Sequence, residues 1–217
     1  MTAASDHEPG RNCPLCPRLV EFRTRQRAAH SEWHNAPVPS FGPIAASLLI
    51  VGLAPGLKGA NRTGRPFTGD YAGDLLYATL AKFGFAHGRY EARADDGLKL
   101  VGCRISNAVR CVPPENKPLP AEIAACRPFL VAEIAAMTPL KAIVALGQVA
   151  HNTVLAALDQ KRSAFAFRHG AVHHLAQGLL LTDSYHCSRY NTNTGRLTPA
   201  MFEAVFKEVR RRLDARP

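Results

Sequence analysis

Cys13 and Cys16 stand in a C-P-L-C turn. Cys111 and Cys126 lie far downstream, around the Pro-rich stretch Val112-Pro113-Pro114-Glu115-Asn116-Lys117-Pro118. Two residues between the first pair let both sulfurs reach one ion or cluster from a single turn. Together the thiols make a candidate tetrathiolate site for an iron–sulfur cluster or a structural zinc. Two disulfides would use the same residues. The opening Met1 to Glu8 has neither a basic region nor an apolar run, so a signal peptide is not expected. In a reducing cytoplasm a C-x-x-C more often serves a metal or redox site. Cys103, in an apolar run, reads as a buried thiol, and Cys187 is left over.

Three loops carry further chemistry. Residues 52–70 (G-L-A-P-G-L-K-G-A-N-R-T-G-R-P-F-T-G-D) are rich in glycine, which permits close backbone approach to a ligand, and Lys58, Arg62 and Arg65 add positive charge. No G-K-[ST] closes the loop, which disfavours nucleotide hydrolysis. Asp70 falls just before a helical stretch, where capping alone would explain it. Phe67 reads equally as a core residue. Asn107, at a strand end, offers the donor and acceptor that reading a base edge requires, although a turn role suits it as well. Residues 184–196 combine His186 with hydroxyl, amide and Arg donors and with Tyr190, a composition suited to phosphate or base contact. His169, His173 and His174 lack metal-ligand spacing and read as strand or surface residues.

The elements that must position these loops follow from the apolar pattern. Short, continuously apolar runs at 47–53, 100–109, 141–146 and 178–182 have the form of strands buried on both faces. Helical stretches fall between them at 73–83, 121–137 and 148–158, and a last one begins at Thr198-Pro199, an N-cap and first-turn pair. Such alternation predicts a parallel sheet with helices on both faces, whose ligands sit beyond the carboxyl ends of the strands. The three loops lie there. With 217 residues and no linker or repeat, one domain over 1–217 is expected, with 1–11 as a loose extension. The formal charge of +10, mostly from Arg, suits a polyanionic partner, although Arg-rich composition alone could produce it.

Taken in order, the motifs resemble the type B, or family 5, uracil-DNA glycosylases. They are G-L-A-P-G…G-x-N-R-T-G-R-P-F-T-G-D at 52–70, N-A-V-R-C-x-P-P-x-N-K-P at 107–118, R-H-G at 168–170 and H-x-S-R-x-N-T-x-T-G-R-L-T at 186–198. With the C-P-L-C start the resemblance spans nearly the whole chain and is weakest at 1–11 and 84–98. It implies a three-layer α/β/α sandwich with a central four-stranded parallel sheet. It also implies a structural [4Fe–4S] cluster on Cys13, Cys16, Cys111 and Cys126 that ties in the N-terminal helix.

The implied activity is monofunctional hydrolysis of the N-glycosidic bond of flipped-out uracil and related deaminated bases, leaving an abasic site in DNA. By the same resemblance Asp70 and His186 are the catalytic pair, with Asp74 as runner-up to Asp70. Gly52, Ala54, Gly56, Phe67 and Asn107 bind the base. Lys58, Arg62, Arg65, Ser188, Arg189, Tyr190 and Asn191 meet DNA. Leu53 and Ala54 stand where related families carry an acidic residue, which moves that role to Asp70. Gly56 replaces a bulky Tyr, so a roomier pocket and broad substrate use are expected. A monomer acting in a bacterial or archaeal cytoplasm completes the expectation. The alternative is a non-catalytic or covalent damaged-DNA-binding protein of the same fold.

Overall fold

In a computed structural model, residues 7–215 are described. Seven strands and seven α-helices follow in chain order: α1 (Pro17–Ala29), β1 (Leu48–Gly52), α2 (Ala60–Thr63), α3 (Tyr71–Lys82), β2 (Ala86–His87), β3 (Lys99–Leu100), β4 (Cys103–Asn107), α4 (Pro120–Ala136), β5 (Ala142–Leu146), α5 (Gln148–Ala157), β6 (Val172–His174), β7 (Leu180–Ser184), α6 (Arg189–Asn193) and α7 (Pro199–Asp214).

The main sheet has the order β4-β1-β5-β7-β6. The first four strands are parallel, as the apolar runs predicted. A fifth strand corrects the expected count: β6 adds antiparallel to the β7 edge, pairing Val172 with Thr182. Only three residues long and partly exposed, β6 carries too little alternation to be read from sequence. Residues 100–109 also resolve into two elements, because β3 turns back to pair antiparallel with β2 before β4 begins.

Alternation along each strand divides the core. Leu48 and Ile50 face α3 and α7 through Leu76, Leu80, Phe202 and Phe206. Leu49 and Val51 face α4 and α5 through Leu130, Val154 and Leu155. The result is three layers. The expected loose extension at 1–11 falls partly on residues 1–6, outside the described ones. Beyond them Glu8 is held, at 3.2 Å from Arg104 and 3.0 Å from Arg110. No described helix is long and apolar enough to cross a membrane.

The chain runs from β1 outward to β4, then returns across β1 to β5 on the other side. Strand direction of travel therefore reverses at β1, and a crevice opens above the carboxyl ends at that point.

Candidate active site

A cleft of about 730 Å³ occupies that crevice, and all three loops reach it: Leu53 to Lys58 after β1, Asn107 at the end of β4, and His186, Ser188 and Arg189 after β7. Gly147, Gln148 and Val149, at the start of α5, complete the wall. Those three were missed in the sequence, although the strand-end rule points to them.

Asn107 is 3 % exposed, and its side-chain oxygen is buried without a hydrogen-bond partner. Phe67 lies beside it, 7 % exposed, with a backbone φ of +52° that is uncommon for a bulky residue. Its ring stacks against His186 at 5.8 Å between centroids. Gly52 makes this packing possible. A Cβ there would collide with the Asn107 oxygen and come within 2.5 Å of the Phe67 ring. Gly52 is thus a buried support behind the pair, not a surface for the base. Ala54 and Gly56 line the cleft.

Asp70 caps α3, accepting a 3.2 Å hydrogen bond from the Gly73 amide. Its carboxylate also fills the space beside two glycines: a Cβ on Gly59 would collide with it, and one on Gly56 would lie 3.0 Å from Oδ2. Part of the room left by Gly56 is therefore occupied by Asp70. Burial pushes the Asp70 pKa above the usual carboxylate range, against the opposing pull of the Gly73 and Ala72 amides. Asp74, the runner-up carboxylate, is exposed in the first turn of α3 and is not among the residues that line the cleft. Desolvation pushes His186 down to about 4, so its imidazole is neutral at pH 7.

The residues expected to meet DNA divide. Lys58 and Arg189 are exposed and line the cleft, and the exposed Arg62 lies beside Gly69 in its wall. Tyr190, 73 % exposed, projects from α6, a single turn of helix where the sequence suggested only a loop. Ser188 caps that turn by accepting the Asn191 amide. Asn191 donates its side-chain amide to the His186 carbonyl at 2.8 Å, an internal tie. Arg65 contradicts the expectation outright. It is 3 % exposed, makes two 2.7 Å bonds to Asp96 and lies over the rings of Phe41, Tyr77 and Tyr90. A guanidinium so enclosed cannot reach a phosphate.

Cys13, Cys16, Cys111 and Cys126 converge on one small enclosed cavity between α1 and α4. Arg23 donates to Cys111 Sγ at 3.4 Å, and the Arg110 amide donates to Cys126 Sγ at 3.3 Å. Arg23 Nε is buried with no partner. Burial pushes the thiol of Cys126 up to about 11, so it ionises at neutral pH only beside a positive centre. The donor set and the orphaned N–H fit an anionic thiolate-bound group. Among the described residues, His151, His173 and Asp183 form a set whose ligand atoms all lie within 4.8 Å of one another. In that set each Asp183 oxygen already meets an imidazole, at 2.7 and 2.9 Å. His173 stands in β6, a strand residue as its spacing suggested, and its ring is an internal partner of Asp183.

The model of the uracil DNA glycosylase superfamily matches residues 39–210, a span that contains the whole cleft. The chain belongs to this superfamily. Among its relatives, a type-5 uracil-DNA glycosylase of Thermus thermophilus is 46 % identical over 204 residues, covering 92 % of this chain and 93 % of that protein. A type-5 enzyme of Pyrobaculum aerophilum is 41 % identical, covering 91 % of this chain and 88 % of its own. A type-4 uracil-DNA glycosylase of the same archaeon is 32 % identical over 156 residues, covering 71 % of this chain and 65 % of its own. Within the superfamily, likeness to the type-5 proteins thus extends over more of the chain and at higher identity.

Proposed function

We propose that the protein is a DNA repair hydrolase that cuts the N-glycosidic bond of uracil and related deaminated bases, as the names of its type-5 relatives suggest. The observation that carries this reading is the unpaired Asn107 oxygen, buried at the end of β4 beside Phe67. A buried acceptor without a donor costs about 1–3 kcal/mol, which a ligand N–H would recover. Uracil, hypoxanthine and xanthine all present a ring N–H beside a carbonyl. Cytosine presents a lone pair there and would leave the acceptor unsatisfied.

Catalysis then follows from charge. The target nucleotide leaves the stack at a cost of about a few kcal/mol, lower at a mismatch. Phe67 stacks on the base and Asn107 fixes its edge. As the bond lengthens, positive charge grows on the sugar and negative charge on the departing base. Neutral His186 donates to the base oxygen, an interaction commonly worth about 3 kcal/mol. Asp70, ionised and raised in basicity by burial, orients the attacking water and opposes the charge on the sugar. Lys58, Arg62 and Arg189 supply cationic contacts for the strand, and Tyr190 a wedge. The reaction stops at the abasic site.

The four cysteines would hold a [4Fe–4S] cluster. The group supplies cohesion between α1 and α4 and takes no part in bond cleavage.

The test uses oligonucleotides carrying one uracil, a 5-substituted uracil, hypoxanthine or xanthine, followed by alkaline scission of abasic sites. Wild type should cut uracil and the larger bases. Asp70→Asn should bind normally and cut at least about 100-fold more slowly. Cutting of uracil alone would remove the broad-substrate reading. Absence of all cutting by holoprotein, or an adduct stable on denaturing gels, would replace hydrolysis with damage binding.

A further inference from the structure

Beyond Ser184 the β7 backbone leaves the sheet. Its last ladder contact is the 2.7 Å bond from the Gly147 amide to the Ser184 carbonyl. Tyr185 and His186 therefore need other partners, since an unpaired peptide group away from water is costly. Two side chains provide them. His169 Nδ1 accepts the Tyr185 amide at 3.1 Å, and Asn191 donates to the His186 carbonyl at 2.8 Å. The His169 ring also stacks on Tyr185, 5.0 Å between centroids and 19° from parallel, and Arg196 lies over the Tyr185 ring.

His169 is itself anchored. The flanking Arg168 amide donates to Asp183 Oδ2 at 3.2 Å, and the Gly170 amide to the Asp183 carbonyl at 2.8 Å. Asp183, wholly buried in β7, also receives His151 and His173. His151 reaches past Asp183 to the Phe165 carbonyl at 2.9 Å, in the same segment. Both its ring nitrogens thus face oxygens, one on β7 and one on the Phe165 segment. The segment from Phe165 to Gly170 is thereby fixed on β7 by one buried carboxylate and its imidazole partners. Burial lowers the His169 pKa, which keeps Nδ1 a lone-pair acceptor.

We propose that His169 is a positioning residue for His186, setting the direction in which that imidazole enters the cleft by holding the Tyr185 amide. This rests on the reading of His186 as the donor to the departing base. It gives the R-H-G motif at 168–170 a purpose that no residue of the cleft supplies. The motif is a substitute strand partner, placed where the sheet ends and the chemistry begins.

Two variants of the holoprotein test it. His169→Phe keeps the ring stack and removes the acceptor. His169→Asn places an amide oxygen near the position of Nδ1. With enzyme in excess and the DNA fully bound, His169→Phe should slow uracil excision by about 10–100-fold, the scale of an ångström-size misplacement, with DNA affinity unchanged. His169→Asn should return most of that rate. The His186 ring nitrogen resonances should shift in the Phe variant and recover in the Asn variant. If wild type cuts uracil and His169→Phe cuts equally fast, or if Asn rescues nothing while folding normally, the proposal is overturned. If wild type cuts nothing, the glycosylase reading fails and the His186 resonances alone decide. Movement with rescue would retain the positioning role, and unchanged resonances would end it.

Discussion

Asp70 and His186 are pushed by the same burial toward opposite uses. Desolvation disfavours whichever form is charged, so it raises the carboxyl and holds the imidazole neutral down to about pH 4. The acid limb of the single-turnover rate should therefore belong to Asp70. The rate should fall as pH drops through a value above the ordinary carboxylate range, and that limb should vanish from the residual rate of Asp70→Asn. A limb that persists in the variant would assign the titration elsewhere. Stability should move the other way. A carboxyl whose folded pKa exceeds its unfolded value loses stability as pH rises through the folded value, so at pH 7 the ionised Asp70 is a cost. Asn keeps the cap on Gly73 without the charge. Asp70→Asn should melt a few degrees higher at pH 7, about 2–4 °C per kcal/mol recovered at this size. The gain should disappear below the unfolded carboxylate range, where both states are protonated. Equal melting at pH 7 would mean that water and nearby cations already compensate the charge.

At the scale of elements, the loop from Gly52 to Asp70 was legible only in part. Its glycines and its place after a strand announced a ligand loop, and Asp70 as a helix cap followed from the run after it. Arg65 could not be read, because its partner is 31 positions away in a charged stretch that looks solvated, and only the β2–β3 hairpin region brings Asp96 beneath it. His169 escaped for a related reason: its partner is a backbone amide, which has no signature in sequence. Arg65 and Asp96 instead brace the loop that carries Phe67. Arg65→Gln should cost about 3–5 kcal/mol of stability, since it leaves a buried carboxylate without its cation. It should not change the salt dependence of DNA binding. Lys58→Gln or Arg62→Gln should each do the reverse, reducing the slope of log affinity against log salt by about 0.9 with little effect on melting. A reduced slope in Arg65→Gln would return that residue to the DNA surface.

For the whole molecule, the cysteine site joins parts of the chain that the sheet does not. α1 touches the rest through Leu19 against Val109 and Cys126, and through the Arg18–Glu122 ion pair at 2.7 Å to α4. Beyond these, Arg18 donates to the Lys117 carbonyl, Arg23 to Cys111 Sγ and Arg27 to the Asn35 carbonyl, so this 13-residue helix is held by little apolar area and mainly by polar side chains. A bond network from Cys13 and Cys16 to Cys111 and Cys126 would close a loop of most of the N-terminal half. Cross-links of such length are worth about 3–4 kcal/mol through the entropy removed from the unfolded chain. The same link fixes the start of the segment that brings Asn116 to the cleft. Arg110, beside Cys111, is already held from the other side by Glu133 at 2.6 Å, so the β4 end and α4 should survive without the proposed cluster while α1 and residues 111–119 loosen. If the thiolates hold the proposed cluster, Cys111→Ser should lose iron and visible absorbance. It should melt about 6–15 °C lower and become open to protease between residues 111 and 119. DNA affinity should suffer more than the rate at saturating DNA, because Asp70, Asn107 and His186 stand on elements the sheet holds by itself. An iron-free variant with wild-type melting and protease resistance would show that packing alone secures α1. A variant that binds DNA normally but no longer cuts would place the cysteine site in the chemistry instead of the scaffold.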